Sequence, residues 1–221
     1  MGGCYASGYG TEENPEKAFE WYMKAAEQNN PDAQYLLGKF YELGYGTEKD
    51  YNKACKWYLK AAKQDYCLAQ YAMGECYTNR YGTRKNLREA FEWYLKAAEQ
   101  GNPDAQYEVG RCYENAYGTR KNSKKAFEWY LKAAEQDNDQ TQYKLGWYYE
   151  NGYGTGKNLQ KAFEWYMKAA NQDNKYGQRA VGYCYEYGKG TTKNLEEAYK
   201  WYLKAAENGN SQAMCDIIPI E

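Results

Sequence analysis

Ala90-Phe91-Glu92-Trp93-Tyr94-Leu95-Lys96-Ala97-Ala98-Glu99-Gln100, AFEWYLKAAEQ, decides the fold because it comes back. It stands as AFEWYMKAAEQ from Ala18, as ACKWYLKAAKQ from Ala54 and unchanged from Ala126. It returns as AFEWYMKAANQ from Ala162 and as AYKWYLKAAEN from Ala198. The tryptophans inside it, Trp21, Trp57, Trp93, Trp129, Trp165 and Trp201, are each 36 residues apart. A fixed period of this size is the mark of stacked supersecondary units, none of which can bury its apolar face alone.

Outward from that ruler, the copies fall at about 1–29, 30–65, 66–101, 102–137, 138–173 and 174–209, with a partial copy at 210–221, as one array over residues 1–221. In the second copy Asn30 is placed to cap a helix with Pro31 at its first position, a signal repeated at Asn102 and Pro103. The first helix is expected over Pro31 to Leu43, with Ala33, Leu37, Phe40, Tyr41 and Gly44 on one face. Gly38 recurs as Gly2, Gly74, Gly110, Gly146 and Gly182, although glycine inside a helix costs about 1 kcal/mol against alanine. Such a column implies a close helix crossing.

A Gly44-Tyr45-Gly46-Thr47 turn follows, and its second glycine is kept where the first becomes Arg80 or Ala116. We infer that the second glycine holds the demanding backbone angle. Asp50, with Asn14, Asn86, Asn122, Asn158 and Asn194, caps the second helix, and Glu89 and Glu197 sit where a capping box places them. That helix is expected over roughly Tyr51 to Gln64, with Ala54, Trp57, Tyr58, Ala61 and Ala62 forming a stripe wide enough to be buried on two sides.

Composition agrees with a folded array. Mean hydropathy is low at -1.08, but 28 tyrosines and 7 tryptophans carry the apolar load. A net charge of -1 gives no global field toward nucleic acid or an acidic membrane surface. No apolar run reaches membrane-spanning length, and MGGCYASGYG lacks the basic end and apolar core of a secretory signal. Its match to a myristoylation pattern fails at Ala6. Cys4, Cys76, Cys112 and Cys184 share one repeat position with Phe40 and Tyr148, Cys55 stands where Phe19 and Phe91 stand, and Cys215 stands where Tyr35 and Tyr71 stand. Cysteine alternating with aromatics reads as a small buried hydrophobe, and equivalent positions of adjacent copies are too far apart to bridge. A reducing, cytoplasmic setting is the expectation.

Chemistry-bearing patterns are sparse. The chain has no histidine, and Ser7, Ser123 and Ser211, its three serines, lie in no nucleophile motif. Glu12/Glu13 and Glu196/Glu197 fall on loops or helix starts as solvated faces. Asn151-Gly-Tyr-Gly-Thr-Gly-Lys157 resembles a phosphate loop superficially, but Asn151 and Asn158 occupy the places of the required glycine and hydroxyl residue. Arg80, Arg84, Lys85 and Arg88, then Arg120, Lys121, Lys124 and Lys125, line loops and helix starts, yet no aromatics interleave with them, so a solvated face is favoured over nucleic-acid binding. No catalytic residue, metal site or cofactor is expected.

The pattern of Ala33, Gly38, Tyr41, Gly44, Gly46, Lys53, Ala54, Trp57, Tyr58, Lys60, Ala61 and Ala62 closely resembles the Sel1-like repeat family, relatives of the tetratricopeptide repeat. It departs from it in having threonine after the second glycine (Thr11, Thr47, Thr83, Thr119, Thr155, Thr191). The resemblance implies an all-α, right-handed superhelical solenoid of about six helix pairs, acting as an adaptor in signalling or protein quality control. It also implies that first helices line a concave, ligand-bearing surface. Some family members are arms of kinase-like or membrane-anchored proteins. Some cysteine-rich members are described as penicillin-binding or β-lactamase proteins; those carry regular paired cysteines in each repeat, which this chain does not.

Comparison of the copies with one another locates a surface. The variable first-helix positions are spaced four, three and four apart and so form one stripe. They read Asp32, Leu36, Lys39, Leu43; Leu68, Ala72, Glu75, Asn79; Asp104, Glu108, Arg111, Asn115; Gln140, Lys144, Trp147, Asn151; and Tyr176, Ala180, Tyr183, Tyr187. Framework columns must agree in order to stack; these need not. The expected partner-binding residues are Trp147, Tyr183, Tyr187, Tyr176, Lys144, Arg111, Glu108 and Lys39, an aromatic and basic mixture typical of interface hot spots. The expected function is a non-enzymatic scaffold binding an extended or helical protein segment; the alternatives are a regulatory arm of a kinase-like protein and a β-lactamase-like hydrolase. The chain opens and closes inside first helices, with Asp216, Ile217, Ile218 and Ile220 leaving an apolar end stopped by Pro219. Membership of a longer array, or association through the ends, is expected from that.

Overall fold

The computed structural model describes residues 2–217. Ile218, Pro219 and Ile220, part of the expected apolar end, lie outside them. The described residues form thirteen α-helices and no strand: α1 (Gly2–Ser7), α2 (Pro15–Glu27), α3 (Pro31–Leu43), α4 (Tyr51–Ala62), α5 (Cys67–Asn79), α6 (Leu87–Glu99), α7 (Pro103–Asn115), α8 (Ser123–Ala134), α9 (Asp139–Asn151), α10 (Leu159–Asn171), α11 (Lys175–Tyr187), α12 (Leu195–Glu207) and α13 (Ser211–Asp216). The chain divides into two compact units, Met1–Val109 with Tyr117–Thr119, and Gly110–Ala116 with Arg120–Glu221.

Within the first unit, α2 packs on α1 and α3, and α4 on α3 and α5; within the second, α10 packs on α9 and α11, and α12 on α11 and α13. Each of these second helices is therefore held on two sides, as the width of its apolar stripe requires. The helix starts follow the predicted chemistry. Asn14, Asp50, Asn86, Asn122, Asn158 and Asn194 all accept a backbone N–H of the second-helix first turn.

Two glycine columns set the spacing. A Cβ at Gly146 of α9 would lie 2.5 Å from the Tyr166 ring of α10, and Gly38, Gly74, Gly110 and Gly182 face Tyr58, Tyr94, Tyr130 and Tyr202 in the same way. The tyrosine ring occupies the volume that any other residue would need. The turn glycines are decided differently from the sequence expectation. Both turn positions are left-handed, and Arg80 (φ 63°) and Ala116 (φ 60°) tolerate the first. What excludes a side chain at the second is proximity: a Cβ at Gly154 would sit 2.1 Å from the Ser123 carbonyl oxygen, at the start of the preceding second helix. Backbone angle is shared by both glycines; contact between copies separates them.

Ala54, Ala61 and Ala62 are buried, as are Tyr58, Tyr94, Tyr130, Tyr166 and Tyr202, but the fixed tryptophans are not core residues. Trp21 is 43% exposed, and Trp57, Trp93, Trp129, Trp165 and Trp201 are half-buried. A lysine three residues on covers the open face: Lys60 lies 3.8 Å from the Trp57 ring centroid and Lys168 lies 4.0 Å from that of Trp165. The tryptophan seals the flank of the stack and its lysine screens it from water.

One column escaped the sequence reading. Gln34, Gln70, Gln106, Gln142 and Gln178 are buried amides. Gln142 donates to the Ala134 carbonyl at the end of α8 (3.3 Å) and accepts from Gln172 at the end of α10 (2.8 Å). Gln34, with Ala26 and Gln64, repeats the arrangement. One amide thus joins a first helix to the second helices on either side. No buried side-chain nitrogen or oxygen among the described residues lacks a partner.

The cysteine expectation needs two corrections. Cys112 and Cys184 are buried as expected, but Cys215 is exposed. Cys55 of α4 and Cys76 of α5 are joined in a disulfide, their Cα atoms 6.6 Å apart. Comparing equivalent positions concealed this, because the two come from different columns. These columns meet between one copy and the next, as Phe19 and Phe40 do with ring centroids 6.3 Å apart. The cysteine argument for a reducing setting therefore does not hold for this pair.

Replacement of Gly146 by alanine is expected to cost about 2–3 kcal/mol, because the clash with buried Tyr166 outweighs the ~1 kcal/mol helix gain. Gly156→Ala, where nothing lies within 4 Å of the added Cβ, should change stability by less than about 0.5 kcal/mol. Urea unfolding of the two variants checks the contrast.

Candidate functional site

The variable stripe is at the surface as expected, except at Ala72, which is 4% exposed and belongs to the core. Its predicted contact residues are divided by the two units. Lys39 and Glu108 belong to the first; Arg111, Lys144, Trp147, Tyr176, Tyr183 and Tyr187 belong to the second.

In the first unit, Lys39 Nζ donates to Glu42 Oε2 at 2.8 Å, and the Tyr58 hydroxyl donates to the same oxygen at 2.6 Å. Burial works against the Glu42 carboxylate, but these two donors outweigh it and hold its pKa below the ordinary value. Glu75 is different. Burial raises its pKa, Lys39 opposes this, and Glu42, Glu108 and Asp104 add to it. The first-unit stripe is thus mainly acidic, with Lys39 already engaged.

The second unit carries the aromatics in two groups. Trp147 of α9 stacks on Tyr153 of the following turn (centroids 4.9 Å apart), meets Tyr148 edge-on, and has Lys144 Nζ 5.2 Å from its centroid. Lys144 in turn pairs with Glu114 at 2.9 Å. The second group lies on α11, where the Tyr183 and Tyr187 rings are 4.7 Å apart. Lys189 Nζ donates to the Tyr183 hydroxyl at 2.8 Å and reaches Glu150 of α9 at 3.5 Å. Tyr176, at the start of α11, lies 5.9 Å from Tyr143 of α9. Tyr176 and Tyr187 are more than half exposed, Tyr183 is somewhat less so, and Trp147 is half-buried.

Glu114, Glu150, Glu186 and Lys189 organise this surface and were not anticipated. The glutamates, with Glu42, recur in four of the six copies and so look like framework. They are framework: Tyr130, Tyr166 and Tyr202 donate to them at 2.9, 2.7 and 2.7 Å. The second oxygens of Glu114 and Glu150 pair with Lys144 and Lys189. Burial raises the pKa of Tyr166 and Tyr202, and the glutamate beside each raises it further, so both hydroxyls stay protonated as donors. The result is a surface on which paired lysines and glutamates lie beside exposed tyrosine rings. Among the described residues no His/Cys/Asp/Glu group could hold a metal ion, and no helix is long and apolar enough to cross a membrane.

Comparison with known proteins agrees with this architecture. The Sel1 repeat model matches residues 1–30, 31–66, 67–102, 103–138, 140–174 and 175–210. A solved structure of c5321, a protective antigen present in uropathogenic Escherichia coli strains displaying an SLR fold, is similar at 34% identity and TM-score 0.95. That match covers 98% of this chain and 46% of c5321, so the chain spans less than half of the length of that relative. A Sel1 repeat protein from Oxalobacter formigenes is 36% identical with TM-score 0.85, over 92% of this chain and 81% of that one. The immunity protein Pa5087 from Pseudomonas aeruginosa is 25% identical with TM-score 0.53, over 88% of this chain and 75% of its own. No curated protein sequence matches the chain. Helix pairs of 36-residue period, the glycine–tyrosine crossings and six consecutive matches give one conclusion: the chain is an all-α solenoid and belongs to the Sel1 repeat family.

Proposed function

We propose that this chain is a non-enzymatic protein-interaction scaffold, and that the first-helix stripe of its second unit receives an extended or helical segment of a partner. The observation that carries the reading is the placement of exposed Tyr176, Tyr183 and Tyr187 on columns that vary between copies, above framework columns that do not. Large rings held by neighbours lose little entropy on binding, and burying them supplies most of the energy of an interface hot spot. Tyr183 is held by Tyr187 and Lys189, and Trp147 by Tyr153 and Lys144. Arg111 lies on the same stripe. The similar proteins include a protective antigen and an immunity protein, in keeping with a binding role. Lys39 and Glu108 would belong to a separate, more acidic contact on the first unit.

A photo-crosslinker at position 176 is expected to capture a partner from source-cell extract, and Tyr183→Ala with Tyr187→Ala should reduce that capture at least ~30-fold, the loss of about 2 kcal/mol or more. The melting temperature should fall by less than about 3 °C, because both rings are exposed. Undiminished capture by the folded double variant would remove this face from the account. Trp147→Ala is the less clean probe, since its stacking on Tyr153 also contributes to stability.

A further inference from the structure

We propose that Cys55 and Cys76 are a reversible dithiol–disulfide couple that staples α4 to α5, so that the first unit has a covalently closed and an open form with the same fold. Three observations carry it. First, the two cysteines occupy columns whose other members pack without a covalent bond: Phe19 against Phe40 at 6.3 Å, and Phe127 against Tyr148 at 6.5 Å. The junction between copies is thus built by contact alone elsewhere, and two reduced cysteines supply small apolar groups to the same place.

Second, each state leaves Cys55 satisfied. Its sulfur is bonded to Cys76 in the closed form, and it also lies within hydrogen-bonding reach of the Tyr81 carbonyl oxygen, to which a free thiol would donate. Opening the bond therefore requires no movement of α4. Third, two sulfur side chains fill less volume than two rings. A cavity of about 10 Å³, room for about one water molecule, remains beside them, bordered by Glu42, Glu75 and Tyr81. That slack lets the sulfurs separate on reduction without displacing the helices.

The exchange balances with oxidised glutathione as the oxidant. One protein thiolate attacks the glutathione disulfide and releases one glutathione thiolate, forming a mixed disulfide. The second protein thiolate displaces the other glutathione. Two electrons pass to glutathione, the two thiol protons leave with its sulfurs, and the Cys55–Cys76 bond forms. The chain is slow to exchange in either direction, because Cys55 and Cys76 are only 6% and 3% exposed.

The test uses the full chain, folded, equilibrated in glutathione buffers from fully reduced to fully oxidised, then acid-quenched, alkylated and digested. The expected result is a Cys55–Cys76 cross-linked peptide that grows with oxidised glutathione, disappears when dithiothreitol is added to the native protein, and raises the lowest thermal transition by roughly 5–10 °C. A Cys55→Phe, Cys76→Phe variant restores the aromatic pair, so it should fold and show the same melting temperature in both buffers. Absence of the linked peptide from folded, oxidised protein would overturn the proposal, as would a link that dithiothreitol cannot release from the native chain. An unchanged melting temperature between the two forms would overturn it equally.

Discussion

A tyrosine ring lying where a side chain would otherwise begin is the contact on which the rest of this structure depends. Gly146 faces Tyr166, and four more pairs of the same kind hold each first helix close to its own second helix. At this crossing the tyrosine hydroxyl donates to a carboxylate four residues beyond the glycine on the first helix, as Tyr166 does with Glu150. The surface glutamates that order Lys144 and Lys189 are therefore fixed from within the core. Lengthening the crossing by one methyl group would withdraw the hydroxyl from the glutamate and loosen the interaction surface along with the fold.

Two further devices join one copy to the next. The buried glutamine of the first helix links the second helices before and after it, and the turn glycine lets the loop touch the start of the preceding second helix. Each meets a backbone carbonyl, that of Ala134 or of Ser123, which carries no sequence identity of its own. That is why both demand a single residue type at one position while tolerating change around it. The Cys55–Cys76 junction is a third solution at one place in the array, replacing ring contact with a bond.

Much of this was legible in the 36-residue period. The asparagine caps and the bounds of α3 follow from local chemistry that acts within four residues, and they appear where expected. The variable stripe was legible because helical spacing assigns it to a face. What the sequence concealed was of another kind. The fixed tryptophans looked like core because they never vary, yet they lie on the flank, and invariance reports a repeated contact rather than burial. The glutamine column was overlooked because a polar residue beside alanine reads as surface. The disulfide was hidden because pairing between different columns depends on which helices meet. Glu114 and Glu150 went unnoticed as site residues because a carboxylate can belong to the framework on one oxygen and to the surface on the other.

The central claim is that the glycine and the tyrosine act as one unit at each crossing. A double-mutant cycle between Gly146→Ala and Tyr166→Ala, read by urea unfolding, tests it most directly. The account predicts that the added methyl costs little once the ring is gone, so that the double variant is more stable than the sum of the two single effects by about 2 kcal/mol. Additivity within about 0.5 kcal/mol would show that the two positions act independently, and would contradict the account.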